Sequence, residues 1–66
     1  MKIELNGKTQ EIVAGLSATG LIETLDLTGK RMAMEVNEEI LPRTRFDSYI
    51  IQSGDKVEIV HAIGGG

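Results

Sequence analysis

The 66-residue sequence predicts an α+β domain in which one main helix lies across one face of a four- to five-stranded sheet. Several short stretches alternate apolar and polar residues, the period of half-buried strands. One stretch alone, Ala18–Leu25, carries apolar residues at i, i+3, i+4 and i+7, the stripe of an amphipathic helix. Turn residues separate these stretches, and the helix follows a hairpin, so it must bury its stripe on one face of the sheet.

The elements follow in chain order. Ile3 and Leu5 alternate with Lys2, Glu4 and Asn6, which predicts the first strand. Asn6-Gly7 is the strongest hairpin signal in the chain, because both central residues of a type I′ turn need positive φ. The second strand runs from about Lys8 to Val13, with Ile12 as its inward residue. Ala14-Gly15 breaks it. Ser17 is placed to cap the helix, its hydroxyl accepting from an orphan N–H of the first turn. Leu16 and Leu21 occupy the positions of a hydrophobic staple. Ala18, Leu21, Ile22 and Leu25 form the buried stripe, and the helix is expected to stop near Asp26–Leu27. Gly20 costs about 1 kcal/mol against alanine, which reads as a close approach of helix to sheet.

Met32, Met34 and Val36 alternate through a third strand, with the methionines as core fillers. Asn37-Glu38-Glu39 turns the chain into Ile40-Leu41, a fourth strand. Pro42 offers no ladder donor, so this strand is short or at an edge. Arg43-Thr44-Arg45 is polar. Phe46, Tyr49, Ile50 and Ile51 predict one helical turn on the rim of the core. Ser53-Gly54-Asp55 is a turn, and Val57 and Ile59 alternate through the last strand, which Val60–Ile63 carries to the end.

Composition narrows the function classes. There is no cysteine, which excludes disulfides, thiolate zinc sites and a cysteine nucleophile. The formal charge of −3 comes without the basic stripe of a nucleic-acid binder, favours a partner with a basic docking face and argues against an anionic membrane. No apolar run approaches the length of a membrane span. Met1-Lys2-Ile3-Glu4 enters a strand pattern at once, so no signal peptide is expected and the cytoplasm is the default location. His61 is the single histidine and has no evident base partner. There is no H-E-x-x-H, no P-loop and no G-x-G-x-x-G. No catalytic site of the chain's own, no bound cofactor and no metal are therefore expected.

What remains is Gly64-Gly65-Gly66, directly after the apolar run Val57–Ile63. Glycine has no Cβ, so three such residues make a thin arm of roughly 10 Å, at about 3.3–3.6 Å each. The arm presents one functional group, the α-carboxylate of Gly66. A carboxylate is a poor electrophile and becomes an acyl donor only with a good leaving group, which adenylation by ATP supplies. The enzyme doing this must bind Mg-ATP and stabilise developing phosphate charge. The expected layout is a folded domain over residues 1–63 and a Gly-Gly-Gly tail over 64–66.

Val36-Asn37-x-x-Ile40-Leu41-Pro42-Arg43, Ser53-Gly54-Asp55-Lys56-Val57-Glu58-Ile59-Val60 and the terminal glycines resemble the ThiS family of sulfur carriers in thiamin biosynthesis. Ile3-x-Leu5-Asn6-Gly7 and Gly15-Leu16-Ser17 also match, so the resemblance spans the chain. The family often has glycine after the turn asparagine where this chain has Glu38, which leaves the type of that turn open. The resemblance implies a ubiquitin-like β-grasp fold, with a mixed sheet whose last strand lies beside and parallel to the first. It implies that a ThiF-type enzyme, using ATP and magnesium, adenylates Gly66. A cysteine desulfurase or rhodanese-like domain then supplies sulfur, and the resulting thiocarboxylate serves a ThiG-type thiazole synthase. Gly64 and Gly65 would thread the partner's channel. Val60, Ala62 and Ile63, apolar and next to the tail, are candidates for the docking surface. Rival readings are a MoaD-like carrier for molybdopterin, a carrier for cysteine or other sulfur metabolites, a protein-conjugating tag, and an interaction module with an inert tail.

Overall fold

The computed structural model describes residues 1–61. It has five strands, β1 (Lys2–Leu5), β2 (Lys8–Glu11), β3 (Met32–Val36), β4 (Glu39–Leu41) and β5 (Lys56–His61), with one helix, α1 (Ala18–Thr24), and a 3-10 turn at Arg43–Arg45. The strands form one sheet in the order β2-β1-β5-β3-β4. β1 and β5 are parallel, and the other pairs are antiparallel. This is the mixed sheet of a β-grasp fold, with the last strand at its centre beside the first. The expected boundary between residues 63 and 64 lies outside the described residues.

The helix forms where the stripe predicted it. Ser17 is extended, and its Oγ accepts from the Gly20 N–H at 3.0 Å. Ala18 and Leu21 are fully buried and Ile22 nearly so, so α1 covers the sheet face lined by Ile3, Met34, Val57 and Ile59. The helix ends at Thr24, slightly earlier than expected. Asp26 turns left-handed at φ 60, its N–H donating to the Glu23 carbonyl while the Leu27 N–H donates to that of Ile22. Those two bonds make a Schellman motif, with aspartate in the place glycine usually takes.

Three expectations are corrected. β2 stops at Glu11 rather than Val13, because Ile12 must turn inward while Val13 stays 70% exposed. Gly20 does not mark a close approach to the sheet. A Cβ there would meet the Leu16 side chain at 2.6 Å, so the glycine makes room for the staple leucine folded over the first turn. The helical turn expected among Phe46–Ile51 instead lies at Arg43–Arg45, where Pro42 at φ −64 precedes it. Phe46 and Ile51 are still buried, and Ile50 makes a short extended bridge with Ser17.

Candidate functional site

β5 carries the chain toward its tail, so the site is built from what holds β5. The strand pairs through five registered positions with β3 and through two with β1. An asparagine from each hairpin turn extends this grip. Asn6 and Gly7, at φ 49 and 82, form the two-residue loop between β1 and β2. Asn6 Oδ1 accepts from the Ile59 N–H at 2.8 Å, and its Nδ2 donates to the Ile59 carbonyl at 3.3 Å. The side-chain amide thus mimics one more ladder residue where the β1–β5 pairing has run out.

Asn37 does the same from the other side. Asn37 and Glu38, at φ 54 and 70, form the loop between β3 and β4. Both are positive, as a type I′ turn requires, which settles the turn that Glu38 left open. Asn37 Oδ1 accepts from the Lys56 N–H at 2.9 Å, and its Nδ2 donates to Asp55 Oδ1 at 3.0 Å.

Asp55 opens the strand and is buried. Its other oxygen, Oδ2, accepts from the Tyr49 hydroxyl at 2.5 Å and from the Gln52 N–H at 2.9 Å. Burial pushes the Asp55 carboxyl up, but the bonds from Tyr49, Gln52 and Asn37 outweigh it and hold the group below the usual carboxylate range. Tyr49 moves the other way. Burial, then its bond to Asp55 and the aspartate's charge, push its hydroxyl up to about 12. Next to this network, Asn37, Glu39, Ile40, Pro42, Arg45 and Tyr49 line an open groove of about 260 Å³ along the β4 edge. It brings together no nucleophile and base. Among the described residues, no group of three or more histidine, cysteine or acidic side chains is arranged to hold a metal.

On β5, Val57 and Ile59 face the helix and are buried, while Val60 points to the outer face of the sheet and is 73% exposed. Val60 registers with Ala33, and Ile40 on β4 is 75% exposed in register with Glu35. Glu35 and Glu58 stand directly opposite one another on the same face, a like-charge pair that disfavours the bare sheet. His61 is half-buried at the end of β5 beside Met32. Of the predicted site residues, Val60 is on the surface, as a docking role needs. Ala62, Ile63, Gly64, Gly65 and Gly66 lie outside the described residues. No helix among the described residues is long and apolar enough to cross a membrane.

A sequence model described as the ThiS family matches residues 3–66. The chain belongs to the ThiS family. It is 32% identical to the sulfur carrier protein ThiS of Escherichia coli, over the full length of both. The crystal structure of the thiamine biosynthesis protein ThiS from Geobacter metallireducens superposes with a TM-score of 0.84 at 32% identity, with all of both chains covered. The chain is also 36% identical over 66 residues to a thiazole synthase of Magnetococcus marinus. It spans about a fifth of the length of the thiazole synthases it matches.

Sequence reasoning missed the grip on β5. Asn6, Asn37 and Asp55 read as turn residues, and Tyr49 as part of a rim segment. The available signal was that both hairpins of this ThiS-family chain begin their loops with asparagine. Asparagine suits a positive φ, but it also carries an amide able to pair with a neighbouring backbone.

Proposed function

We propose that this protein is a sulfur carrier for thiamin thiazole biosynthesis, a protein co-substrate whose working group is the α-carboxylate of Gly66. The observation that carries the reading is the full-length kinship with ThiS proteins, joined to a sheet that holds β5 centrally, its end five residues in sequence before Gly66. A carboxylate oxygen of Gly66 attacks the α-phosphorus of ATP in a ThiF-type enzyme, and pyrophosphate leaves. The terminal sulfur of a persulfide on a cysteine desulfurase or rhodanese-like donor attacks the acyl carbon, and AMP departs with the bonding pair. A second thiol then attacks the donor-side sulfur of the acyl disulfide, forming a disulfide with the donor and releasing the thiocarboxylate with the S–S bonding pair. The thiocarboxylate then serves a ThiG-type thiazole synthase. A segment like this chain within proteins named thiazole synthase supports that acceptor over a molybdopterin-forming one.

The geometry supports a division of labour. The residues gripping β5 hold the start and middle of the strand that leads toward the root of the arm, and Gly64 and Gly65 add no side chain to obstruct a channel. Val60, with Ala33 and Ile40 on the same exposed face, offers an apolar contact beside that root.

Reconstitution tests the reading. The chain, a ThiF-type enzyme, Mg-ATP, a sulfur source and thiazole synthase with its small-molecule substrates should yield thiazole phosphate. Removing Gly65 and Gly66 should abolish the product without moving the melting curve. Product formation that survives the deletion would refute the role of the tail.

A further inference from the structure

The cations of this acidic chain are unevenly placed. Met32 registers with His61, the last described residue of β5. Arg31 and Lys30 immediately precede Met32, and both are exposed. On its other side, the Arg43 guanidinium Nη2 donates to the Met32 carbonyl at 3.4 Å. Strands lie about 4.8 Å apart, so Arg43 stands roughly 10 Å from His61 across β3. Among the described residues, none of these three cations forms an ion pair with a carboxylate. The acidic residues Glu38, Glu39 and Asp55 sit at the opposite end of the sheet, where Asn37 meets Lys56. Lys2 and Lys56 share that end with the carboxylates, so its charge is mixed, whereas the end beside His61 gathers three cations that have no ion pair among the described residues.

We propose that Lys30, Arg31 and Arg43 form a basic collar around the root of the tail, and that it engages an acidic rim at the mouth of the enzyme channel the tail enters. The inference rests on the carrier reading above and names the partner surface that reading requires. The reach of the chain favours a protein rim over the nucleotide. Five residues separate His61 from the Gly66 carboxylate and can span about 17 Å, far beyond a lysine or arginine side chain. With the tail inserted, the collar stops at the entrance. Like charges crowded without partners repel one another, and an acidic rim would relieve that repulsion while steering the encounter and orienting the domain.

The test is carrier-dependent ATP–pyrophosphate exchange by a ThiF-type enzyme, read as kcat and as KM for the carrier over a range of salt. The double variant Arg31→Gln/Arg43→Gln should raise KM about tenfold at low ionic strength, with kcat unchanged and a flattened salt dependence. Lys2→Gln/Lys8→Gln, which removes equal charge from β1 and β2, should shift KM much less. If losing the Arg43–Met32 bond lowers the melting curve, Lys30→Gln/Arg31→Gln carries the same expectation without touching that bond. Equal KM and salt dependence in the collar and control variants would overturn the collar. So would a fall in kcat at unchanged KM, which would place these groups at the nucleotide. Absence of exchange with the unmodified chain would instead overturn the carrier reading, and the collar with it.

Discussion

The two hairpins solve one problem with unequal comfort. Each is a two-residue loop that opens on asparagine, needs positive φ at both positions and uses the asparagine amide to hold β5. In the first, Gly7 adopts φ 82 without steric penalty. In the second, Glu38 is held at φ 70, where its Cβ crowds the backbone by about 1–2 kcal/mol. The second turn keeps its shape because Asn37 is bonded at three points, including its own N–H to the Lys56 carbonyl at 2.7 Å. Tertiary bonds to β5 thus enforce there what local preference secures in the first turn.

The largest expected effect comes from removing the group both Asn37 and Tyr49 lean on. Asp55→Ala should destabilise the fold by roughly 3 kcal/mol, since it strands three part-buried donors, the Tyr49 hydroxyl, the Gln52 N–H and Asn37 Nδ2, as measured by urea unfolding. Asn37→Ala should cost about 2 kcal/mol and Asn6→Ala about 1 kcal/mol, because Asn37 also serves Asp55. Equal losses would mean that the two turns hold β5 alike. Substituting the second positive-φ position of each turn should give opposite signs. Gly7→Ala should lose about 1 kcal/mol, and Glu38→Gly should gain up to about 1 kcal/mol once its extra unfolded-state freedom is counted.

The Tyr49–Asp55 bond should also appear in the pH profile of stability. The folded Asp55 carboxyl sits below its ordinary value, so its contribution is present above that value and is lost as pH falls through the depressed one. The Tyr49 hydroxyl is raised to about 12, so its contribution is intact below its ordinary range near 10 and fades as pH climbs toward 12. Melting temperatures across both ends should show the two declines, and Tyr49→Phe should remove the alkaline one. On the outer face, Val60→Ala should leave melting almost unchanged, given its exposure, and weaken only the encounter with the activating enzyme.

Much of this was legible in the sequence because it is periodic. The alternation of Ile3 and Leu5, the stripe Ala18-Leu21-Ile22-Leu25 and the Asn6-Gly7 pair each encode local structure. The pieces that were not legible depend on partners distant in sequence. Glu38 carries no signature of a type I′ turn, since its conformation is imposed by Lys56 and Asp55 through Asn37. Gly20 looks like a helix defect until Leu16 is seen folded against it. The basic end of the sheet is invisible in a linear reading, because Lys30-Arg31 and Arg43 meet only through the register of β3. The reading of the tail rests on the sequence alone, since Gly64, Gly65 and Gly66 lie outside the described residues.

The most direct test of the carrier account is the intact mass of the full chain after incubation with Mg-ATP, a ThiF-type activating enzyme and a sulfur source. The account predicts a gain equal to one oxygen exchanged for sulfur, localised by fragmentation to Gly66. An unchanged mass with an activating enzyme that converts a ThiS relative under the same conditions, or a chain found to continue beyond Gly66 in its working form, would contradict it.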